Sequence, residues 1–270
     1  MATLSLYLED LTQFLRDANY QFSSKKQLTR WVNEARRKVA QDTGCIQCLV
    51  TGQSPFGTSS QPGYFIPGAG VPGMLPGNNP NNLNAAGAVA TASNGFNTIP
   101  GVEVYPFTYI NQFLRQQYAG VNAIHDVFNV SVSWGGIRPT LNWLPWDDLQ
   151  AYARSYNIGA FAYPFGWATL GIGEAGQVWL FPVPSTALPG EMEVQASCTP
   201  IDLYTDDDYD AVPHPFQSCV KFYAAYLSFL STQRLGQAET YKKLYEEKII
   251  SSTVASDRGH IPNYYYFEGQ

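Results

Sequence analysis

Charged residues are scarce in this 270-residue chain. Asp, Glu, Lys and Arg together make up 14% of it, whereas about a quarter is usual. Aromatic residues make up another 14%. Aromatic side chains are enriched at protein interfaces, where Lys and Glu are depleted. The composition therefore favours an oligomer, or a subunit covered by partners, over a monomer with a Tyr-rich surface.

Neither an excess of positive charge nor a long apolar run is found. The formal net charge is −6, which argues against a surface that grips nucleic acid. An acidic lining would repel phosphate and let DNA slide past. No run reaches the roughly 18 apolar residues of a transmembrane helix. Residues 1–20 carry Glu9 and Asp10 without a basic stretch, which is atypical of a signal peptide, so we expect synthesis in a reducing cytoplasm.

Cysteine is also rare, and its spacing predicts neither zinc nor redox catalysis. Cys45 and Cys48 form a C-x-x-C, but Cys198 and Cys219 do not supply the second close pair of a structural zinc site. A thioredoxin-like motif would lie at a strand-to-helix turn, whereas Cys45 follows Gly44, a predicted helix end. We therefore expect buried free thiols.

Two further patterns are typical of catalytic or cofactor-binding proteins, but their context argues against such a site here. Gly171–Gly176 spells G-x-G-x-x-G, but the following Gln177–Pro184 is strand-like, so we expect a hairpin turn and not a dinucleotide site. The three histidines are His125, His214 and His260. None has a Ser, Cys or carboxylate at a spacing that indicates a triad or a metal site.

The acidic residues near position 208 resemble a calcium loop only in part. Asp206, Asp208 and Asp210 have the alternate spacing, but Ala211 replaces the required glycine and Gln217 the bidentate glutamate. We expect an acidic loop leading into the N-terminus of a helix, where carboxylates are favourable. The sequence thus predicts no catalytic, cofactor-binding or metal-binding residues, and a protein that is not an enzyme.

Helical patterns stand at both ends of the chain. A first helix is predicted over 4–18, and a second begins at the Ser24–Gln27 capping box and ends at Gly44. Two more are predicted over 215–233 and 236–250. We expect Trp31 to be buried against the C-terminal helices, on a stripe completed by further apolar residues of the second helix: Leu28, Val32, Ala35 and Val39.

The middle of the chain differs sharply in composition. Residues 51–101 are rich in Gly, Pro and Asn and predict an inserted loop or arm. Residues 102–204 predict a β-rich body, and residues 251–270 an aromatic C-terminal arm. The predicted class is α+β, with a discontinuous helical bundle (1–50 and 205–250) around the β-rich body. A partner-binding role is predicted for four successive aromatic residues of the arm: Tyr264, Tyr265, Tyr266 and Phe267.

These patterns follow one another in a recognisable order. The Leu-x-x-Trp-Val-Asn-Glu-Ala helix of residues 28–40 precedes Ile-Arg-Pro at 137–139 and Trp-Asp-Asp-Leu at 146–149. Val178–Pro184, Thr-Asp-Asp-Asp at 205–208, Val-Pro at 212–213 and Tyr-Ala-Ala-Tyr at 223–226 complete the series. In this order the chain resembles the head-to-tail adaptor (connector) proteins of tailed bacteriophages.

The resemblance implies a structural virion protein in the neck between capsid and tail, assembled in the host cytoplasm. It implies a dodecameric ring that docks under the portal, extends the DNA channel and forms the platform for tail tube, nozzle or fibre proteins. Genomic DNA would pass through the lumen, without specific binding, during ejection. The insertion at 52–101 is longer than the family pattern leads us to expect. The alternative is a virion-associated cell-wall hydrolase or carbohydrate-binding module, suggested by the six Trp and many Tyr residues.

Overall fold

The computed structural model describes residues 2–16, 23–51, 96–133, 139–155, 163–184 and 191–257. Six α-helices and two β-sheets lie in these ranges, which confirms the mixed α+β class. The chain divides into a helical unit, from Met1–Cys45 and Asp202–Gln270, and a β unit, from Ile46–Ile201.

The helices, in chain order, are α1 (Leu4–Leu15), α2 (Lys25–Thr43), α3 (Phe107–Gln117), α4 (Trp146–Ser155), α5 (Gln217–Ser231) and α6 (Leu235–Asp257). The strands are β1 (Gln47–Val50), β2 (Val104–Pro106), β3 (Val121–Ser133), β4 (Asn142–Trp143), β5 (Gly166–Leu170), β6 (Gln177–Phe181) and β7 (Glu191–Pro200). In the helical unit, α5 contacts α1, α2 and α6, and α1 contacts α2.

Both predicted ends of α2 are confirmed. The Ser24 hydroxyl accepts the Gln27 N–H at 3.3 Å, and the Gln27 side chain accepts the Ser24 N–H at 3.2 Å. These bonds satisfy N–H groups that the first helical turn leaves without partners. At the other end Gly44 has a φ of 58°, which glycine adopts without steric cost, and donates its N–H to Ala40.

The buried stripe of α2 is rotated from the predicted one. Leu28, Val32, Ala35 and Val39 are buried as expected, but Trp31 is half-buried, so its predicted enclosure is wrong. Asn33, Arg36 and Ala40 are buried as well, which shifts the centre of the stripe so that Trp31 lies about 110° from it at 3.6 residues per turn. Arg36 lies close to that centre and is among the largest fully buried side chains of the described chain.

Two helix ends differ from prediction. α1 ends at Leu15 and not at residue 18, because Arg16 takes the left-handed conformation with a φ of 53°. α6 continues past Ile250 to Asp257, since no Gly or Pro interrupts this stretch. The hydroxyls of Ser251 and Thr253 bond to carbonyls of the preceding turn. Residues 251–257 are therefore helical, and the rest of the predicted arm, 258–270, lies outside the described residues.

The β unit contains two sheets. The first has the order β1-β7-β3 and is antiparallel. The second has the order β2-β6-β5-β4, in which only the β4–β5 pair is parallel. The long strand β3 has three register shifts against β7. Six of the seven described strands, β2 to β7, lie within residues 102–204, the range predicted to be β-rich.

The G-x-G-x-x-G segment is a hairpin turn, as predicted. It joins the antiparallel strands β5 and β6, and within it Gly171 and Gly173 have positive φ values of 78° and 61°. A side chain at Gly176 would lie 2.2 Å from the Phe107 ring, so only glycine fits there. The turn is therefore shaped by packing on α3, not by a bound nucleotide's phosphate.

A helix lies near the start of the predicted β-rich segment. α3 buries Phe107, Ile110 and Leu114 and contacts β3 and β1. Of residues 51–101, the predicted arm, the structure describes 51 and 96–101. The end of this range packs on α3. Phe96 is fully buried, with its ring centroid 5.1 Å from that of Phe113. Residue 96 thus belongs to the core of the β unit and not to an arm.

Candidate functional site

A buried ion pair lies in the helical unit. The Arg36 guanidinium contacts Asp210 Oδ1 at 2.7 Å through Nη2 and at 2.8 Å through Nε. Their side chains are 1% and 0% exposed. Asp210 also accepts the Tyr7 hydroxyl at 2.6 Å and the Val212 N–H at 3.0 Å. With four donors on its two oxygens, the buried carboxylate is compensated by charge and by hydrogen bonds.

Asn33 extends this cluster along α2. Its Oδ1 accepts Arg36 Nη1 at 3.1 Å and the Leu203 N–H at 2.9 Å, and its Nδ2 donates to the Leu203 carbonyl at 2.9 Å. The side chain of Asn33 therefore pairs with a backbone segment that has no strand partner there. We call Tyr7, Asn33, Arg36 and Asp210 the buried polar cluster.

The cluster fixes the segment after Asp202 alongside the start of α1. Backbone bonds join Asp210 to Ala2 (3.0 Å), Leu4 to Asp208 (3.3 Å) and Ser5 to Asp206 (3.2 Å). Asp206 also contacts Lys25 of α2 at 2.7 Å. The acidic residues thus hold the segment 206–210 against the first residues of the chain and do not lead directly into α5, which begins at Gln217.

These contacts and their surroundings shift the pKa values of Asp208 and Tyr7. The Thr205 hydroxyl, followed by the N–H groups of Thr205 and Tyr204, lowers the pKa of Asp208. Burial and the neighbouring carboxylate of Asp210 raise the pKa of Tyr7 well above its ordinary value. Both pKa shifts come from burial and from contacts within the fold.

A pocket of about 210 Å³ opens beside the cluster. Tyr7 and Leu6 of α1 and Pro215 form apolar parts of its wall, and His214 lies at its rim. Lys221 and Asp10, which contact each other at 3.2 Å, also line it. A volume of this size suits one or two side chains of a partner better than a drug-sized ligand.

Apolar side chains are exposed around this region. Tyr204 is 78% exposed and Tyr209 64% exposed, and Leu6 projects from the first turn of α1. Tyr209 lies on the paired backbones described above, opposite Thr3. Leu6 follows Ser5, whose N–H bonds to the Asp206 carbonyl, and the Tyr204 N–H bonds to the Asp208 side chain. We call Leu6, Tyr204, Tyr209 and the pocket the terminal surface. Exposed aromatic residues of this kind are typical of protein-binding surfaces.

A second exposed group lies in the β unit, around Phe181. The Phe165 and Tyr152 rings lie 5.4 Å and 6.3 Å from the Phe181 ring, and both residues are exposed. Trp143 lies on β4, the strand that pairs with β5, and is 59% exposed. We call Trp143, Tyr152 and Phe165 the aromatic surface. Its rings could stack on a flat ligand or bury a partner's apolar side chains.

The predicted site residues Tyr264, Tyr265, Tyr266 and Phe267 lie outside the described residues, and their role stays a prediction. No helix in the described ranges is long and apolar enough to cross a membrane. Within the same ranges, no group of three or more His, Cys, Asp or Glu residues is arranged to hold a metal ion. The described cysteines carry free thiols; Cys48, Cys198 and Cys219 are buried and Cys45 is half-buried, close to the prediction.

The sequence interpretation missed the buried polar cluster. A signal for it exists, because Asn33 and Arg36 fall on the same face of α2 as Val32 and Val39. Polar residues on an apolar stripe require buried partners. The partner could not be chosen from the sequence, because Asp210 is one of five aspartates within residues 202–210 and lies 174 residues from Arg36.

Comparison with known proteins adds no relative: no protein-family model matches the chain, and no curated protein matches it. The similarity to phage adaptors therefore depends on the ordered motifs alone and stays an expectation.

Proposed function

We propose that this protein is a head-to-tail adaptor of a tailed bacteriophage, a structural subunit that acts by assembly and not by catalysis. The observation that carries the proposal is the terminal surface, on which Leu6, Tyr204 and Tyr209 are exposed over a rigidly held backbone. A surface of large apolar side chains on a preorganised support suits a permanent protein contact.

The finer architecture follows from the same proposal. We interpret α1, α2, α5 and α6 as the helical bundle of an adaptor subunit and the β unit as its inserted body. In this interpretation, residues 52–95 and 258–270 are arms that contact neighbouring subunits, the portal or the tail. Residues 52–95 contain no Asp, Glu, Lys or Arg, which favours burial against a partner over permanent solvation.

The family resemblance implies a ring of twelve copies, and in this proposed ring each subunit contacts two others through different surfaces. Such head-to-tail contacts close into a ring when the rotation between subunits allows it. The ring would bind the portal on one side and tail proteins on the other. The net charge of −6 suits a lumen that DNA crosses without being held.

Charge substitutions on the terminal surface test the proposal. Tyr209→Glu places a carboxylate where an apolar contact is proposed, so ring-sized particles should be lost in native mass spectrometry while circular dichroism stays unchanged. Leu235→Glu is the matched control, since Leu235 is similarly exposed (61%) at the start of α6. Unchanged assembly of Tyr209→Glu, or equal loss in both variants, would contradict the assignment of this surface.

A truncation tests the predicted portal contact. Ending the chain after Asp257 keeps α6 and removes Tyr264–Phe267. Side chains of an extended chain alternate between its two faces, so four adjacent aromatic residues in an extended arm would place two rings on each face. We expect the truncated protein to keep its helical circular dichroism and to lose binding to portal rings. Unchanged portal affinity would mean that another surface makes this contact.

A carbohydrate-binding module is the second candidate, and the aromatic surface favours it. Trp143, Tyr152 and Phe165 present exposed rings that could stack on sugar faces. Titration with cell-wall oligosaccharides, followed by Trp fluorescence, separates the two candidates. Saturable binding that Trp143→Ala abolishes would support the module, whereas no change in fluorescence would leave the aromatic surface as a protein contact.

A further inference from the structure

The glycine-rich turn between β5 and β6 exposes apolar side chains. Ile172 is 69% exposed, the largest value for a large apolar side chain in the described part of the β unit, and Leu170 is 41% exposed. Glu174, two residues after Ile172, is exposed as well. In the sequence it is the one charged residue between Arg154 and Glu191. The turn therefore combines two apolar side chains with a single carboxylate.

The backbone of this turn is held in place. Gly171 and Gly173, on either side of Ile172, both have a positive φ, which glycine adopts without steric cost. The Gly176 N–H donates to the Gly173 carbonyl at 3.0 Å, and the Gly176 carbonyl accepts the Phe107 N–H at 2.8 Å. The turn also contacts α3 and β3. Because its backbone is already ordered, burying Ile172 against a partner costs little conformational entropy.

The pocket of the terminal surface complements this turn in size and charge. Its volume of about 210 Å³ and its apolar wall suit one or two aliphatic side chains. Lys221 also lines it, and of the three donors on an ammonium group one is used on Asp10, at 3.2 Å. Gln217 and Ser218, the first residues of α5, line the same pocket, and a carboxylate is favourable near the N-terminus of a helix.

We propose that this pocket binds the β5–β6 turn of a second copy of the chain, with Ile172 against the apolar wall and Glu174 beside Lys221. The two contacting surfaces differ, so each copy can use its pocket and its turn at the same time. Such a contact is heterologous, and it closes into a ring where the rotation between copies allows it. The inference rests on the proposed function in placing the terminal surface between subunits, and it names what that surface binds.

Two variants, each with one damaged surface, test the contact. Ile172→Asp alters the turn and leaves the pocket intact, whereas Leu6→Glu puts a carboxylate in the pocket wall and leaves the turn intact. Both positions are exposed, so both variants should fold, which circular dichroism checks. Neither should form dimers or rings alone in native mass spectrometry. A 1:1 mixture should form one discrete heterodimer, because the intact pocket of one variant binds the intact turn of the other.

A matched control and a covalent trap complete the experiment. Ile99 is 42% exposed in the same unit, so Ile99→Asp should assemble like the wild type. Disulfide trapping detects a short-lived contact: Leu6→Cys combined with Ile172→Cys, treated with oxidised glutathione, should give a ladder of covalent dimers, trimers and larger species. Peptide mapping should find residue 6 joined to residue 172. Leu6→Cys combined with Ile99→Cys should give no such ladder.

Three outcomes would overturn the inference. These are the absence of both the heterodimer and the ladder, dimers formed by either damaged variant alone, and a link between residues 6 and 172 within a single chain. Failure of the proposed function gives a different result. Portal binding without the heterodimer would keep the adaptor assignment and give the pocket to another partner. A heterodimer without portal binding would keep the contact and contradict the adaptor assignment.

Discussion

Replacing Asp210 with Ala should strongly destabilise the helical unit. The substitution leaves the Arg36 guanidinium buried with no carboxylate, and it removes the acceptor of the Tyr7 hydroxyl and of the Val212 N–H. Breaking a buried pair by removing one partner costs about 3–5 kcal/mol, because the remaining charge is uncompensated. Since native domains are stable by about 5–15 kcal/mol, this loss is a large part of the total.

The measurement is urea unfolding followed by circular dichroism. A matched control lies in the same segment: Lys25 and Asp206 are also 2.7 Å apart, but their side chains are 52% and 51% exposed. Asp206→Ala should therefore cost less than about 1 kcal/mol. If the cost arises from the unpaired charge, Arg36→Met in the Asp210→Ala background should recover part of the lost stability. A loss below about 1 kcal/mol in Asp210→Ala would refute the reasoning.

Three further predictions follow from the described contacts. Gly176→Ala should lower the Tm by several degrees, because its Cβ would overlap the Phe107 ring; an unchanged Tm would show that the turn can move. Because its pKa is raised in the folded protein, Tyr7 makes its full contribution to the free energy of unfolding below about pH 10 and loses it as the pH rises further. Tyr7→Phe should therefore flatten the alkaline loss of stability, measured by urea unfolding from about pH 8 to 11.5. Deleting residues 61–94 should leave the monomer folded by circular dichroism and impair assembly, and an unfolded product would place that segment in the core.

Local signals in the sequence were sufficient where a few adjacent residues determine the conformation. The capping box at Ser24 and the stop at Gly44 define α2. The β5–β6 hairpin around the glycine-rich turn was predicted for the same reason, because strand patterns flank it on both sides. These elements depend on hydrogen bonds and φ preferences within a few residues.

Predictions failed where contacts between residues far apart in the chain determine the local structure or its burial. Glu193 alternates with Met192 and Val194 in the sequence, a pattern that predicts an exposed side chain on a half-buried strand. However, β7 is the central strand of its sheet, and Glu193 is buried, with the Ser131 hydroxyl donating to it at 3.2 Å. α3 was missed although Phe107, Ile110 and Leu114 have helical spacing, because it lies within residues 102–204, whose strand patterns predicted a β-rich body. Composition alone cannot say which neighbours cover a segment.

The candidate site likewise has features that the sequence predicted and features that it did not. The sequence interpretation identified a chain with interface composition and no catalytic set, and it named the C-terminal aromatic residues. It did not identify the buried polar cluster or the terminal surface, because each joins residues within 2–36 to residues within 203–221, which are far apart in the chain. Their pairing depends on the folded backbone and leaves no local pattern.

The central claim is that the protein acts as a ring-forming subunit under a portal. Native mass spectrometry of the full-length protein, alone and mixed with portal rings encoded by the same genome, tests it most directly. The account predicts one discrete complex in which a fixed number of subunits, about twelve by analogy with closed rings, adds to each portal ring. A protein that stays monomeric at every concentration and never changes the mass of the portal ring would contradict it.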